Sequence, residues 1–358
     1  AANLESKPMN RNAIADTIER ALSSAGITMD SPTMGSVAAT IRKALTDAGL
    51  TRPPHDAPLH VVEEPAVDNG SFTSHAFAIG GASRDYKLYV PTGARREAAP
   101  LLVMLHGCTQ QPDDFAIGTR MNELAQEYGF LVAYPAQARR ANGSNCWNWF
   151  EADQQLRSGE EASLIAGIAQ DIVRSHHIDG RRVFVAGLPA GGAMALVLGA
   201  TYPDVFAGVG VHSGVALGTA HDMGSAFAAM RGQARPRDAS DQTARPPVPT
   251  IVVHGDADPT VHVSNAEQIV THARQAFDAQ PGAPLRALAG SRRAMQGREV
   301  TTTHWIDASG VAQIAHWVIH GAAHAWSGGN PEGSYTDARG PDASQAIVQF
   351  LLDPQRVN

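Results

Sequence analysis

Val183-Phe184-Val185-Ala186-Gly187-Leu188-Pro189-Ala190-Gly191-Gly192 changes character halfway along. Val183–Ala186 is apolar without alternation, the pattern of a strand covered on both faces. Two residues of turn follow, and then a run rich in Ala, Met and Leu that favours helix. Glycines on both sides of Pro189 allow strand and helix backbones to approach closely across a sharp turn. Similar apolar runs recur on either side: Leu101–Leu105, Phe130–Tyr134, Phe206–Val211, Thr250–Val253 and His316–Ile319. Helical patterns lie between them, as at Met121–Tyr128 and Ala162–His176. Strand–helix alternation predicts a mostly parallel central sheet with helices on both faces. In such sheets the functional groups lie at the carboxyl ends of the strands.

Three of those strand ends belong together. Gly187-Leu188-Pro189-Ala190-Gly191 has the glycine spacing of the nucleophile elbow, G-x-S-x-G, with proline at the serine position. His254-Gly255-Asp256-Ala257-Asp258 follows a second strand, and Gly321-Ala322-Ala323-His324-Ala325-Trp326 a third. Nucleophile position, acid, histidine is the chain order of the α/β-hydrolase fold. His106-Gly107-Cys108 follows the strand Leu101–Leu105. In that fold this loop gives one N–H to the oxyanion hole, and the residue after the nucleophile, here Ala190, gives the other. Each piece alone is common, but all four at strand ends in this order are specific.

The chain has 358 residues, 43% of them hydrophobic, enough for one large domain and an accessory segment. Its net charge is −7 and it has no long basic run, which argues against a nucleic-acid partner or a polybasic membrane anchor. Its apolar stretches are too short for a membrane-spanning helix. No signal peptide is visible, although a cleaved one is compatible with the start at Ala1. Near the N-terminus, Ile14–Ile27 and Val37–Leu50 share seven of fourteen residues at a period of 23. They read as a helical hairpin over residues 1–51, either a packing accessory or the contact of a homodimer. Proline-rich residues 52–70 read as a linker to an α/β-hydrolase domain over residues 71–358. Ala216–Pro246, with a helical run at Ser225–Met230, reads as a lid, a specificity insertion or a surface loop. No metal motif or cofactor motif is present. His316 and His320 lie four apart in a strand-like run and are expected to share a face without further partners. By spacing alone, Cys108 and Cys146 suit two buried thiols as well as one disulfide.

The sequence resembles bacterial esterases of the poly(3-hydroxybutyrate) depolymerase type, related to feruloyl and acetylxylan esterases. The resemblance is carried by Leu105–Gln110 (LHGCTQ), Cys146–Phe150 (CWNWF), Gly187–Met194 (GLPAGGAM), His254–Val261 (HGDADPTV), Gly321–Gly329 (GAAHAWSGG), Gly333–Asp337 (GSYTD) and Gly340–Ser344 (GPDAS). It extends over roughly three quarters of the chain, from Tyr86 to Leu352, and leaves out the N-terminal repeat. It implies Asp258 as the triad acid, with Asp256 the rival, and His324 as the base. It implies oxyanion-hole N–H groups at Cys108 and Ala190. It also implies that Cys108 pairs with Cys146, which favours a secreted or periplasmic location. His106, Trp147 and Trp326 would line a substrate pocket, and the substrate would be a polyester or a small ester.

The family has serine where this chain has Pro189. Proline carries no hydroxyl and cannot form an acyl-enzyme. It also fixes φ near −65°, whereas a nucleophile elbow holds its central residue at positive φ. The turn is therefore expected to relax into an ordinary strand-to-helix connection and to re-aim the Ala190 N–H. Ser213, after the strand Phe206–Val211, suits hydrogen bonding or packing better than a substitute nucleophile. Cys108 is a poor nucleophile if it is disulfide-bonded. A water activated by His324 and Asp258 would give only residual activity. Persistence of the acid, the base and the oxyanion loop favours a recent loss of serine over an old pseudoenzyme.

Overall fold

The computed structural model describes residues 70–93, 99–235 and 246–353. The N-terminal repeat and most of the linker lie outside the described residues, as do residues 236–245 of the expected insertion. The ten-stranded sheet runs in the order β1 (Ser71–Ile79), β2 (Ala82–Val90), β4 (Leu131–Pro135), β3 (Leu101–Leu105), β5 (Val183–Gly187), β6 (Val209–His212), β7 (Thr250–Gly255), β10 (Ala312–Ile319), β9 (Arg298–Ile306), β8 (Arg286–Met295). The central strands from β4 to β10 are parallel. Antiparallel strands flank them, β1 and β2 on one side and β9 and β8 on the other. A separate short parallel pair joins β11 (Trp326–Ser327) to β12 (Thr336–Asp337).

Burial explains why the parallel strands were legible. In β3, Leu101, Val103 and Leu105 enter one core, while Leu102 and Met104 enter the other. The first core packs helices α3 (Glu160–His176), α4 (Ala190–Thr201) and α6 (Ser264–Asp278), through Ile165, Leu198 and Ile269 among others. The second packs α1 (Pro112–Thr119), α2 (Met121–Tyr128) and α7 (Ala343–Leu352), through Phe115, Leu124 and Ile347. Helices thus cover both faces, as the alternation predicts. Observed bounds differ from the expected ones by a few residues; β6, for instance, begins at Val209 because Phe206 is still turning, its N–H bonded to Tyr202 O.

The hairpin β8–β9 carries no such signal. The run REVTTTHWI is polar and only partly buried, and most described residues of RALAGSRRAM are exposed. The described part of Ala216–Pro246 is also more ordered than a free loop. Helix α5 (Met223–Met230) starts with a capping box, Asp222 and Ser225 bonding each other's backbone N–H. It docks onto the first turn of α6 and the loop before it, with Asn265 Nδ2 donating to Ala229 O and His262 N–H to Met230 O. Among the described residues, no helix is long and apolar enough to cross a membrane.

Candidate active site

Strand ends β3, β5, β6, β7 and β10 lie side by side, so their loops share one edge of the sheet. After β5 the chain enters α4 directly. Pro189 sits just before the helix with φ −70° and ψ −38°. That is ordinary right-handed helical backbone, not the positive φ of an elbow, and the pyrrolidine ring imposes it. Leu188 N–H donates to Leu105 O at 3.2 Å, and Ala193 N–H to Pro189 O at 2.9 Å. Close approach dictates two glycines here. A Cβ on Gly191 would fall 1.9 Å from Leu105 O, and one on Gly107 would fall 2.9 Å from Pro189 Cδ. The loop after β3 and the residue before α4 therefore lie in close contact.

Asp258 and His324 come together as the sequence predicts. His324 Nδ1–H donates to Asp258 Oδ2 at 2.7 Å, and the acid's side chain is fully buried. Asp258 Oδ1 accepts the Thr260 and Val261 N–H groups, each at 2.8 Å. Burial alone would raise this carboxyl's pKa. The His324 hydrogen bond and charge, together with those two N–H groups, hold it below the usual range. With Nδ1–H engaged, the other imidazole nitrogen of His324 is left to accept a proton. The rival acid, Asp256, pairs with His320 instead, at 2.7 Å.

Buried histidines missed by the sequence reading brace the site. His254 Nε2–H donates to Val261 O at 2.9 Å and lies 3.5 Å from Asp258 Oδ2, bracing the acid's turn. His212 Nε2 accepts the Ser327 N–H at 3.1 Å, which ties the end of β6 to the segment after His324. Its pKa is pushed down to about 3, chiefly by burial and then by the charges of His254 and His324. Total burial of a histidine at a strand end is a tertiary property, and only the stretch HGDADPTV hinted at one of the two.

Cys108 and Cys146 are joined, as the resemblance implies. A buried polar network holds the Cys146 side of this link. Gln137 donates to Cys146 O at 2.8 Å and also to the Glu161 carboxylate, which receives Asn148 N–H and Nδ2–H at 2.8 Å each. Cys108 follows β3 and Ala190 opens α4, so the two oxyanion candidates stand on adjacent strand ends.

The pocket residues behave differently from the expectation. His106 is nearly buried but borders a cavity of about 350 Å³ that Asp85, Gln111, Arg139 and Asn145 also line. Its pKa is lowered to about 4, first by burial. Trp147 and Trp326 do not present an open wall: they are 0% and 1% exposed. Trp147 Nε1–H donates to His106 O at 3.1 Å, and Trp326 Nε1–H to Ser344 Oγ at 3.0 Å while its ring stacks on His212. Satisfying the indole N–H in the interior draws both rings behind the strand ends. Ser213 is likewise fully buried, with φ 50°, beside His212 Nδ1. His316 is half-buried with its Nε2 buried and unpartnered, but His320, contrary to expectation, has partners on both ring nitrogens. Among the described residues, no cluster of metal-ligating side chains is present.

Comparison with known proteins places the fold and the family. The profile of the family described as "Esterase PHB depolymerase" matches residues 84–302. The chain is 37% identical over 191 residues to poly(3-hydroxyalkanoate) depolymerase C of Paucimonas lemoignei, covering 51% of this chain and 46% of the relative. It is 27% identical over 308 residues to the poly(3-hydroxybutyrate) depolymerase of Ralstonia pickettii, covering 78% of this chain and 60% of the relative. It thus spans about half the length of these curated relatives. Acetylxylan esterase A of Talaromyces purpureogenus is 27% identical over 271 residues, covering 69% of this chain and 68% of the relative. The solved acetyl xylan esterase from Aspergillus awamori superposes with a TM-score of 0.57 at 20% identity, over 70% of this chain and 94% of that one. Parallel strands, shared loop edge and family match together make the chain an α/β-hydrolase belonging to the PHB depolymerase family of esterases.

Proposed function

We propose that this chain is a carboxylic ester hydrolase scaffold with a nucleophile–Asp258–His324 triad, disabled at its first member by Pro189. The observation that carries the reading is the contrast at one sheet edge. The Asp258–His324 pair is bonded at 2.7 Å, while the neighbouring turn holds a helical proline. With serine at 189, its hydroxyl would attack the ester carbonyl and His324 would take the proton. Asp258 would hold the imidazole in the accepting tautomer. N–H groups of Cys108 and Ala190 would receive the oxyanion. Without the hydroxyl, only water attack remains at this site.

The substrate class we infer is a polyester such as poly(3-hydroxybutyrate) or a related acyl ester, which the relatives' names support. The Cys108–Cys146 link supports residence in an oxidising compartment. The test is hydrolysis of p-nitrophenyl butyrate and of a poly(3-hydroxybutyrate) suspension by the chain and by Pro189→Ser. The variant should gain roughly 10³-fold or more on the soluble ester, since it restores a missing triad member. No gain in a folded variant would leave a non-catalytic polymer- or polysaccharide-binding protein, which retention of the unaltered chain on the insoluble polymer would support. Preference of the variant for acetylated xylan or feruloyl esters would move the substrate assignment to those relatives.

A further inference from the structure

The molecule contains a second hydroxyl–imidazole–carboxylate relay, and this one is complete. Thr301 Oγ1 lies 2.8 Å from His320 Nε2, and His320 Nδ1 lies 2.7 Å from Asp256 Oδ2. With Nδ1–H donated to the carboxylate, Nε2 is the acceptor for the threonine hydroxyl proton. Asp256 is itself fixed, because its Oδ1 accepts the Gly321 N–H at 2.7 Å. Burial raises the Asp256 carboxyl; the His320 and Gly321 hydrogen bonds and the charges of His320 and Arg292 outweigh this and keep it ionised. The relay is open to solvent, with side-chain exposures of 25% for His320 and 34% for Asp256. Arg292 is directly opposite Thr301 in the β8–β9 ladder, and Val318 is opposite it in β10. Directly opposed residues share a face of the sheet. Arg292, its guanidinium paired with Glu299, therefore shares a sheet face with Thr301.

We propose that Thr301, His320 and Asp256 form a second acyl-transfer centre that takes small, unhindered activated esters. In the forward step the Thr301 oxygen bonds to the ester carbonyl carbon and its proton passes to His320 Nε2. Arg292 faces the negative oxygen of the tetrahedral intermediate. The carbon–oxygen bond to the leaving alcohol then breaks, and His320 returns the proton to that oxygen. Water, deprotonated by the same nitrogen, releases the carboxylic acid and restores the hydroxyl. A strand-borne threonine flanked on both sides admits little more than a short acyl group. This centre does not depend on the assignment of position 189.

The experiment is to incubate the full chain with p-nitrophenyl acetate, follow nitrophenolate release, and locate the acetyl group by peptide mass spectrometry. Acetyl-Thr301 is expected, and Thr301→Ser should retain or speed it. His320→Gln should slow acetylation of Thr301 about 100-fold, the lower range for loss of a positioned general base. Thr301→Val should remove the adduct and the associated nitrophenolate release. Circular dichroism and thermal melting of each variant would show that the fold persists. Acetyl groups confined to lysines or tyrosines, or Thr301 labelling unchanged in folded His320→Gln, would overturn the proposal. Because the label is located residue by residue, its failure is separable from failure of Pro189→Ser to gain activity.

Discussion

Two carboxylate–imidazole pairs bridge the ends of β7 and β10, and they differ in nearly everything but their bond. Asp258–His324 and Asp256–His320 both close at 2.7 Å, with acids two residues apart and histidines four apart. The first pair is buried, its acid fully so, and further held by two backbone N–H groups and braced by His254. The second stands half in solvent and is held by one backbone N–H. The exposed pair has a threonine hydroxyl on its imidazole; the buried pair has Pro189 on a nearby strand end of the same sheet. A charge pair removed from water acts strongly on its neighbours, whereas an exposed one is screened. Under the proposed function, burial would suit Asp258–His324 to the more demanding chemistry, and exposure would limit the other pair to reactive, small substrates.

The contrast can be broken by activity first. In Pro189→Ser, a further Asp258→Asn change should lower kcat about 10⁴-fold, since the amide favours the wrong imidazole tautomer. A drop of less than tenfold, read with p-nitrophenyl butyrate, would remove Asp258 from the triad. The next largest effect concerns the rim of the buried site. Reducing the Cys108–Cys146 link, which spans 38 residues, should cost about 3–4 kcal/mol of stability. Thermal unfolding with and without dithiothreitol reads this directly.

Acid sharpens the comparison further. His106, His212 and His316 are kept neutral by burial, with pKa values lowered to about 4, 3 and 4. In the unfolded chain they take up protons near pH 6.5, so the unfolded state binds more protons between about pH 4 and 6.5 and stability falls as pH falls. At pH 5 each should cost about 2 kcal/mol relative to pH 7 or above. Asp258, with a lowered folded pKa, contributes stability that is lost only at lower pH, below the ordinary carboxylate range. Urea midpoints at pH 7, 6 and 5 should decline in that order, and a flat profile would show that these histidines are not held neutral. The smallest effect separates the two acids: Asp258→Asn should cost about 2 kcal/mol by chemical denaturation and Asp256→Asn under about 1 kcal/mol. Equal costs would erase the distinction drawn from burial.

Legibility followed the same division. The parallel strands were readable because both faces are buried and the runs are uniformly apolar, as in Leu101–Leu105. The β8–β9 hairpin escaped because REVTTTHWI leaves much of its surface half exposed and carries no strong period. Position after strands singles out the segments His254–Asp258 and Gly321–Trp326, while the choice of Asp258 over Asp256 and the Cys108–Cys146 link come only from resemblance. Trp147 and Trp326 lie inside and not on the expected pocket wall, since a tryptophan near a motif gives no sign of which way its ring turns. Their N–H partners, His106 O and Ser344 Oγ, lie 41 and 18 residues away.

The amino-acid order alone determined the sheet's central strands, the sequence of acid and base along its edge, and the conformation at Pro189. That last point needs no tertiary knowledge, because the pyrrolidine ring fixes φ within the residue itself, and φ −70° is what results. Which carboxylate meets which histidine, and which pair is buried, was decided only by the fold. Residues Asp256 and Asp258 are equally acidic on paper; the register of β7 against β10 sends one toward His320 at the rim and the other toward His324 beneath it. Thr301 entered a relay for the same reason, since only the β9–β10 pairing brings its hydroxyl to His320.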